Sequence, residues 1–231
     1  MRINKYLAWK KFSTRKASDE IIKKGQVFIN NKKAEVGMMV VASDIVEVKF
    51  RGKPTPYFYY GYNKPKWVPT EREGGEKLER NGKKVVTTFP KGVFPIGSLE
   101  KEAHGLMILT NDGRITERLL SSAYNDEKEY VVTTKNTLRD SFKQKMEAGP
   151  KIENEQTKKC KVNILNERTF VVVLTEEKRH QIRRMCSALF QEVEDLQRVR
   201  ILNIRLADLP AGSHCPILGD ELQKFLGTLL S

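Results

Sequence analysis

Cysteine and long apolar runs are scarce in this chain of 231 residues. Its 3 cysteines, Cys160, Cys186 and Cys215, lie far apart and form no CxxC pair near histidines, which argues against a zinc site or a disulfide framework. No stretch approaches the roughly 20 apolar residues of a membrane helix, and the first residues form no apolar leader. We therefore expect reduced thiols, no metal, no membrane association and a cytoplasmic location.

Acidic residues are also few relative to basic ones. The chain has 29 Asp and Glu against 42 Lys and Arg, a formal net charge of +13, while its 39% hydrophobic content is typical of a globular protein. Residues 1–60 carry thirteen basic and five acidic side chains, so most of the surplus lies there. Such a surplus favours a polyanionic partner, because cationic side chains bound to phosphates release counterions. The alternative is an ordinary globular protein with a basic composition.

Two units joined by a short hinge are predicted. The first contains helical and strand-like stretches at 2–11, 15–24, 26–29 and 44–50. Residues 51–57, RGKPTPY, contain two prolines and a glycine, which is typical of a hinge. We expect a small domain over 1–52 and a larger one over 58–231.

In the larger domain, strand-like and helical runs alternate. Strand-like runs lie at 57–62, 85–89, 106–110, 128–133, 160–165, 169–174 and 200–204, and helical runs at 115–121, 137–148 and 181–190. This order predicts an α+β fold with a mixed, mainly antiparallel sheet flanked by helices. The polar, charged and glycine-rich stretch 70–84 is predicted to be a solvated loop or an insertion.

Residues Arg2–Val48, including the turn Gly25-Gln26-Val27 and Asp44, resemble the alpha-L RNA-binding motif first known from a ribosomal small-subunit protein. The resemblance implies that basic side chains of the second helix and the adjoining turn contact RNA phosphates. These side chains are Lys10, Lys11, Arg15, Lys16, Lys23 and Lys24. A solvated charged surface is the alternative, and a cluster of nearly one sign argues against it.

Four further segments carry specific strings of residues: Tyr62–Lys66 (YNKPK), Phe94–Gly113 (FPIGSLEKEAHGLMILTNDG), Lys128–Val132 (KEYVV) and Glu176–Met185 (EEKRHQIRRM). They resemble the signature motifs of bacterial pseudouridine synthases of the ribosomal small-subunit (RsuA-like) type. This resemblance extends over nearly the whole chain. It implies isomerisation of a specific uridine in structured RNA, with ribosomal RNA as the expected partner, by a monomeric enzyme that uses no cofactor.

The resemblance also implies roles for individual residues. The family's catalytic aspartate corresponds to Glu100, and Ser98 occupies the place of an arginine in the motif. Tyr130 is expected to lie against the flipped-out base and guide a proton, and Arg183 to form an ion pair with the catalytic carboxylate. Expected RNA contacts are Lys64, Lys178, Arg179, His180 and Arg184, with a structural role as the alternative for His180. Leu99 and Ile201 are expected to form apolar walls of the pocket.

The exchange of aspartate for Glu100 leaves two functions open. A carboxylate misplaced by about 1 Å can lower a rate on the order of a hundredfold. Either a compensating backbone shift restores its reach and the chain is an active isomerase, or the pocket binds RNA in a catalytically silent RNA-binding or ribosome-assembly factor. The exchange is compatible with natural divergence or with a deliberate inactivating substitution. A third reading, an RNA chaperone using the alpha-L motif alone, leaves the other four segments unexplained.

Overall fold

The computed structural model describes residues 1–9, 15–41, 43–49, 56–68, 77–80, 83–86 and 93–230, some of them for their backbone only. This part of the chain forms two compact units, Met1–Tyr57 with Asp112–Glu117, and Phe58–Asn111 with Arg118–Ser231. Most of the predicted hinge, 51–57, lies outside the described residues. The domain limits 1–52 and 58–231 therefore stay a prediction.

The first unit contains two helices and a small antiparallel sheet: α1 (Ile3–Trp9), α2 (Arg15–Lys23), β1 (Val27–Ile29), β2 (Lys32–Lys33) and β3 (Val46–Val48), with strand order β2-β1-β3. Ile3 and Leu7 are four residues apart, so they share one face of α1, and both are buried in the core of this unit. Asn30 and Asn31 have φ of 49° and 66°. They form the predicted turn between β1 and β2, because asparagine tolerates the left-handed region that a tight hairpin requires.

The rest of the chain contains more strands than helices. The strands are β4 (Tyr59–Lys64), β5 (Lys77–Arg80), β6 (Lys83–Val86), β7 (Phe94–Ile96), β8 (His104–Thr110), β9 (Lys128–Thr134), β10 (Lys151–Ile152), β11 (Glu155–Gln156), β12 (Lys161–Ile164), β13 (Thr169–Leu174), β14 (Val193–Ile201), β15 (Ile204–Arg205) and β16 (His214–Pro216). The helices are α3 (Thr116–Leu120), α4 (Phe142–Glu147), α5 (Gln181–Ala188) and α6 (Gly219–Leu230), with 3₁₀ turns at Gly113–Ile115 and Ser122–Tyr124. None of the described helices is long and apolar enough to cross a membrane.

Nine of these strands form one sheet, in the order β12-β13-β9-β14-β8-β4-β16, with β15 paired to β14 and β7 to β8. The pair β14–β8 is parallel, and its neighbours in the sheet are antiparallel. β8 is buried on both faces after His104, as its unbroken apolar run requires, whereas β9 alternates between buried and half-buried residues. The predicted mixed, mainly antiparallel sheet flanked by helices is confirmed.

Two predicted elements are wrong in extent. β14 begins well before the predicted 200–204 run, because Asp195 and Arg198 interrupt the apolar alternation that identifies strands in sequence. The predicted helix 137–148 shrinks to α4. In the segment before α4, the backbone N–H of Leu138 donates to the carbonyl of Glu167, so that segment bonds to the turn before β13 and forms no helix.

The helix α6 and the strand β5 were not predicted, and the strand β6 was predicted only in part. β5 and β6 pair as an antiparallel hairpin: β5 lies in the stretch 70–84, which the sequence predicted to be a solvated loop or an insertion, and the predicted strand-like run 85–89 overlaps the last two residues of β6. α6 ends the described chain and buries Phe225 and Leu229, four residues apart on one face.

Candidate active site

A cavity of about 710 Å³ opens in the second unit beside the loop that connects β7 to β8. Its lining residues come from that loop, from α3, from strands β9, β13 and β14, and from the segment before α5 and its first turn: Gly97, Ser98, Leu99, Glu100, Leu120, Tyr130, Leu174, Glu176, Glu177, Lys178, Arg179, His180, Gln181, Ile182 and Leu196. The volume lies within the range of pockets that bind small ligands, roughly 300–1,000 Å³. The cavity is therefore large enough for a nucleotide.

The loop between β7 and β8 places Glu100 at this cavity. Gly97 begins the loop with φ of 77°, a left-handed conformation that glycine adopts without strain. The N–H of Ala103 donates to the carbonyl of Glu100 at 3.0 Å, and the N–H of Trp67 donates to the carbonyl of Lys101 at 2.6 Å. These bonds fix the backbone from Glu100 to Ala103.

Lys64 holds the same loop from inside the protein. Its side chain is 1% exposed, and Nζ donates to the carbonyls of Ala103 at 2.6 Å and Pro65 at 3.0 Å. Burial lowers the pKa of Lys64 to about 8, although the nearby carboxylates of Glu102 and Glu100 act in the opposite direction. The prediction that Lys64 contacts RNA is wrong, because its buried ammonium group is occupied by backbone carbonyls.

The lowered pKa of Lys64 predicts a pH-dependent stability. Between pH 8 and pH 10 the unfolded chain binds more protons at this lysine than the folded chain does, so folding should become more favourable as the pH rises, by at most about 1.4 kcal/mol per pH unit. The midpoint of urea unfolding of the wild type should therefore rise relative to that of Lys64→Met over this range. The exposed Lys151 provides a control, since Lys151→Met should follow the wild type. If the urea midpoint changed with pH in the same way in all three proteins, Lys64 would not have a lowered pKa in the folded chain.

The side chain of Glu100 is 15% exposed, and its carboxylate contacts two side chains at the N-terminal end of α5. Arg183 Nε donates to Oε2 at 2.7 Å, and His180 Nδ1 lies 3.0 Å from Oε1. Arg183 Nη1 also donates to the carbonyl of Val193 at 3.1 Å. The expected Arg183–Glu100 contact is thus present. The His180 contact was missed, because the sequence could not show that this histidine faces the loop after β7.

Tyr130 lines the cavity from β9. It lies opposite Arg198 of the neighbouring β14, so the two side chains share one face of the sheet. Burial raises the pKa of the Tyr130 hydroxyl, and the positive charge of Arg198 acts in the opposite direction. A hydroxyl in this environment stays protonated at neutral pH and can donate a hydrogen bond into the cavity.

Apolar side chains form the walls around Glu100 and Tyr130. Leu99 lies there as predicted, together with Leu174, Ile182 and Leu196. Ile201 does not line the cavity: it is buried further along β14, paired with Lys128 and Ile204. The prediction for Ile201 is wrong because β14 runs past the cavity, and Leu196 provides this wall instead.

The cations predicted to contact RNA are spread over both units. Lys178, Arg179 and His180 line the cavity, whereas Arg184 does not. Besides His180, which lies beside Glu100, two of them have acidic partners: Lys178 Nζ donates to Glu155 Oε2 at 2.7 Å, and Arg184 Nη2 lies 2.5 Å from Glu153 Oε2. In the first unit, Arg15, Lys23 and Lys24 are exposed to solvent, while Lys10, Lys11 and the side chain of Lys16 lie outside the described residues.

The cysteines and other potential metal ligands form no cluster within the described ranges. Cys160, Cys186 and Cys215 are free thiols, and burial raises the pKa of Cys160 and of Cys186 to about 12. No three His, Cys, Asp or Glu side chains come together there as a metal site.

Comparisons with known proteins agree with this arrangement. Residues 59–188 match the sequence profile described as RNA pseudouridylate synthase, and residues 1–46 match that of the S4 domain. The chain is 36% identical over 225 residues to the dual-specificity RNA pseudouridine synthase RluF of Salmonella typhi, which covers 96% of this chain and 77% of the relative. It is 30% identical over 238 residues to the ribosomal large subunit pseudouridine synthase B of Bacillus subtilis, covering 96% and 94% of the two chains.

A solved crystal structure of a pseudouridylate synthase has the same fold. It matches with a TM-score of 0.67 at 23% sequence identity, over 97% of this chain and 99% of that one. The S4 match agrees with the ribosomal small-subunit motif expected in the first unit, and the relatives agree with the motifs expected in the second. The chain therefore belongs to the RNA pseudouridine synthase family and carries an S4 domain at its N-terminal end.

Proposed function

We propose that this chain isomerises a specific uridine to pseudouridine in structured RNA, with ribosomal RNA as the substrate class and Glu100 as the attacking carboxylate. The observation that carries the proposal is the position of Glu100: its carboxylate lines the same cavity as Tyr130 and is paired with Arg183. The names of two relatives point to RNA, and one of them to the ribosomal large subunit.

The target uridine must leave its base stack, because a stacked nucleotide cannot bring its sugar and base edge to a carboxylate in a cavity. The apolar walls around Glu100 receive the extruded base. The carboxylate then attacks the ribose carbon that carries the base, and the bond from this carbon to the base nitrogen breaks. The base turns, and its carbon bonds to the same ribose carbon while the carboxylate leaves, so the free carboxylate is restored. The base carbon loses a proton and the freed nitrogen gains one, so the reaction is redox-neutral.

Each neighbour of Glu100 has a role in this proposal. Arg183 balances the charge of the carboxylate and holds Oε2 in place. The ring of Tyr130 lies against the base, and its protonated hydroxyl guides the proton that moves between carbon and nitrogen. Lys64 keeps the loop of Glu100 in position through the carbonyl of Ala103.

Contacts with the RNA backbone are assigned to exposed cations. Arg15, Lys23 and Lys24 of the S4 domain are available to bind phosphates, and Arg179 is available at the cavity. Lys178 and Arg184 would exchange Glu155 and Glu153 for phosphate oxygens when RNA binds.

A second candidate function is that of a catalytically silent RNA-binding or ribosome-assembly factor. Two observations favour it: both oxygens of Glu100 are already engaged by side chains, and Ser98 occupies the place where the motif has an arginine. In this case the cavity would still receive a nucleotide without converting it.

The two functions can be separated by mapping pseudouridines in ribosomal RNA incubated with the wild type or with Glu100→Asp. Carbodiimide-dependent stops of reverse transcription report each modified position. We expect a new stop with the wild-type protein at one site. A stop that forms only with Glu100→Asp would support the silent factor, and no stop with either protein would exclude the isomerase function on this RNA.

A further inference from the structure

The carboxylate of Glu100 requires more support than an aspartate in the same loop would. Glutamate has one more rotatable bond than aspartate, so its carboxylate can occupy more positions around a fixed backbone. Arg183 contacts it through Nε alone, since Nη1 is directed to the carbonyl of Val193. One such bond at Oε2 leaves the carboxylate free to turn about that oxygen.

His180 provides a contact at the other oxygen. Its Nδ1 lies 3.0 Å from Oε1 of Glu100, and the imidazole lines the cavity. A proton on Nδ1 would lie beside Oε1 at this distance and attract it. With Arg183 Nε bonded to Oε2 and the imidazole beside Oε1, each oxygen of the carboxylate has a neighbour that restrains it.

The backbone that carries His180 is held in an uncommon conformation. His180 has φ of 51°, in the left-handed region that few residues other than glycine adopt. Buried side chains stabilise the segment around it: Gln181 Nε2 donates to Glu176 Oε1 at 2.7 Å, and the N–H of Lys178 donates to Gln181 Oε1 at 2.9 Å. Backbone strain that the surroundings maintain is characteristic of functional sites.

We propose that His180 is a positioning residue that adapts this cavity to a glutamate nucleophile by holding Oε1 while Arg183 holds Oε2. The inference rests on the proposed function, since it concerns the same reaction. It goes further because it gives the task of positioning the longer glutamate side chain to His180, which is not one of the three residues Glu100, Tyr130 and Arg183.

Kinetics of three variants test this role. His180→Gly removes the imidazole and relaxes the backbone at φ 51°, while His180→Asn keeps a donor near the position of Nδ1 and tolerates the same backbone. We expect His180→Gly to lower kcat on the order of tenfold with KM within about twofold, because the carboxylate is misplaced while RNA binding is kept. His180→Asn should recover most of the loss. The exposed His214 lies outside the cavity lining, and His214→Asn should match the wild type.

Three outcomes of these kinetics would overturn the proposal: an unchanged kcat in His180→Gly, equal losses in His180→Gly and His180→Asn, or an effect on KM alone. The last outcome would make His180 an RNA contact.

A thermal measurement tests the contact without requiring turnover. The unfolding temperature is measured for the wild type, His180→Gly, Glu100→Ala and the double variant. His180→Gly changes the backbone equally in both backgrounds, so if His180 holds Glu100, the substitution should lower the unfolding temperature more in the wild-type background than in the Glu100→Ala background. Equal shifts in both backgrounds would refute the pairing. If the wild type forms no pseudouridine, the proposed function fails. The comparison of these four unfolding temperatures then decides by itself whether His180 holds Glu100.

Discussion

Replacing Glu100 with glutamine should lower the rate of pseudouridine formation by about 10⁴-fold or more, with little change in the affinity for RNA. Glutamine has the same length and keeps an oxygen to accept the bond from Arg183 Nε. Its amide, however, is not a nucleophile. The loss should therefore fall on kcat, measured in single-turnover reactions on ribosomal RNA, while filter binding reports the retained affinity.

Glu102 provides the matched control for this prediction. It lies in the same loop, is exposed, and is absent from the lining of the cavity. Glu102→Gln removes the same charge at nearly the same place, so it should leave the rate close to that of the wild type. If Glu100→Gln and Glu102→Gln behaved alike, the carboxylate of Glu100 would not be the attacking group.

Replacing Gly105 with alanine should lower the free energy of unfolding by at least about 3 kcal/mol. A Cβ at this position would lie 2.3 Å from the carbonyl oxygen and 2.8 Å from the nitrogen of Arg198, and Gly105 has φ of 106°. Both obstacles are backbone atoms at the parallel junction of β8 and β14, so no side chain can move aside to relieve them. Chemical denaturation measures the loss.

The control for Gly105 is Gly227 in α6, where a Cβ would meet nothing within 4 Å. Gly227→Ala should raise the free energy of unfolding by roughly 0.5–1 kcal/mol, because alanine loses less conformational freedom in a helix than glycine does. A destabilisation by Gly105→Ala no larger than that of an ordinary surface substitution would mean that the two strands can separate without cost.

Much of the fold could be predicted from the sequence because its local signals are strong. Ile3 and Leu7 mark one face of a helix, Asn30-Asn31 marks a hairpin turn, and the apolar run in β8 marks a strand buried on both faces. Where charge interrupts the pattern, as at Asp195 and Arg198 in β14, the prediction of the strand failed.

The candidate site was predictable in composition and less so in arrangement. The motifs indicated Glu100, Tyr130 and Arg183, and all three lie at or beside one cavity. Lys64 was assigned to RNA and Ile201 to the cavity wall, and both are buried elsewhere. A lysine at the end of a strand, such as Lys64 in β4, has the same sequence signature whether its ammonium group reaches solvent or a backbone carbonyl.

The sequence alone determined the class of fold, the two-unit plan and the residue types available for chemistry, because periodicity and motif strings depend on neighbours along the chain. Only the tertiary structure decided that His180 faces Glu100 and that Lys64 supports the loop carrying it. These contacts join residues that are 80 and 39 positions apart in the sequence, and the pairing of the strands and the space left between them bring such residues together.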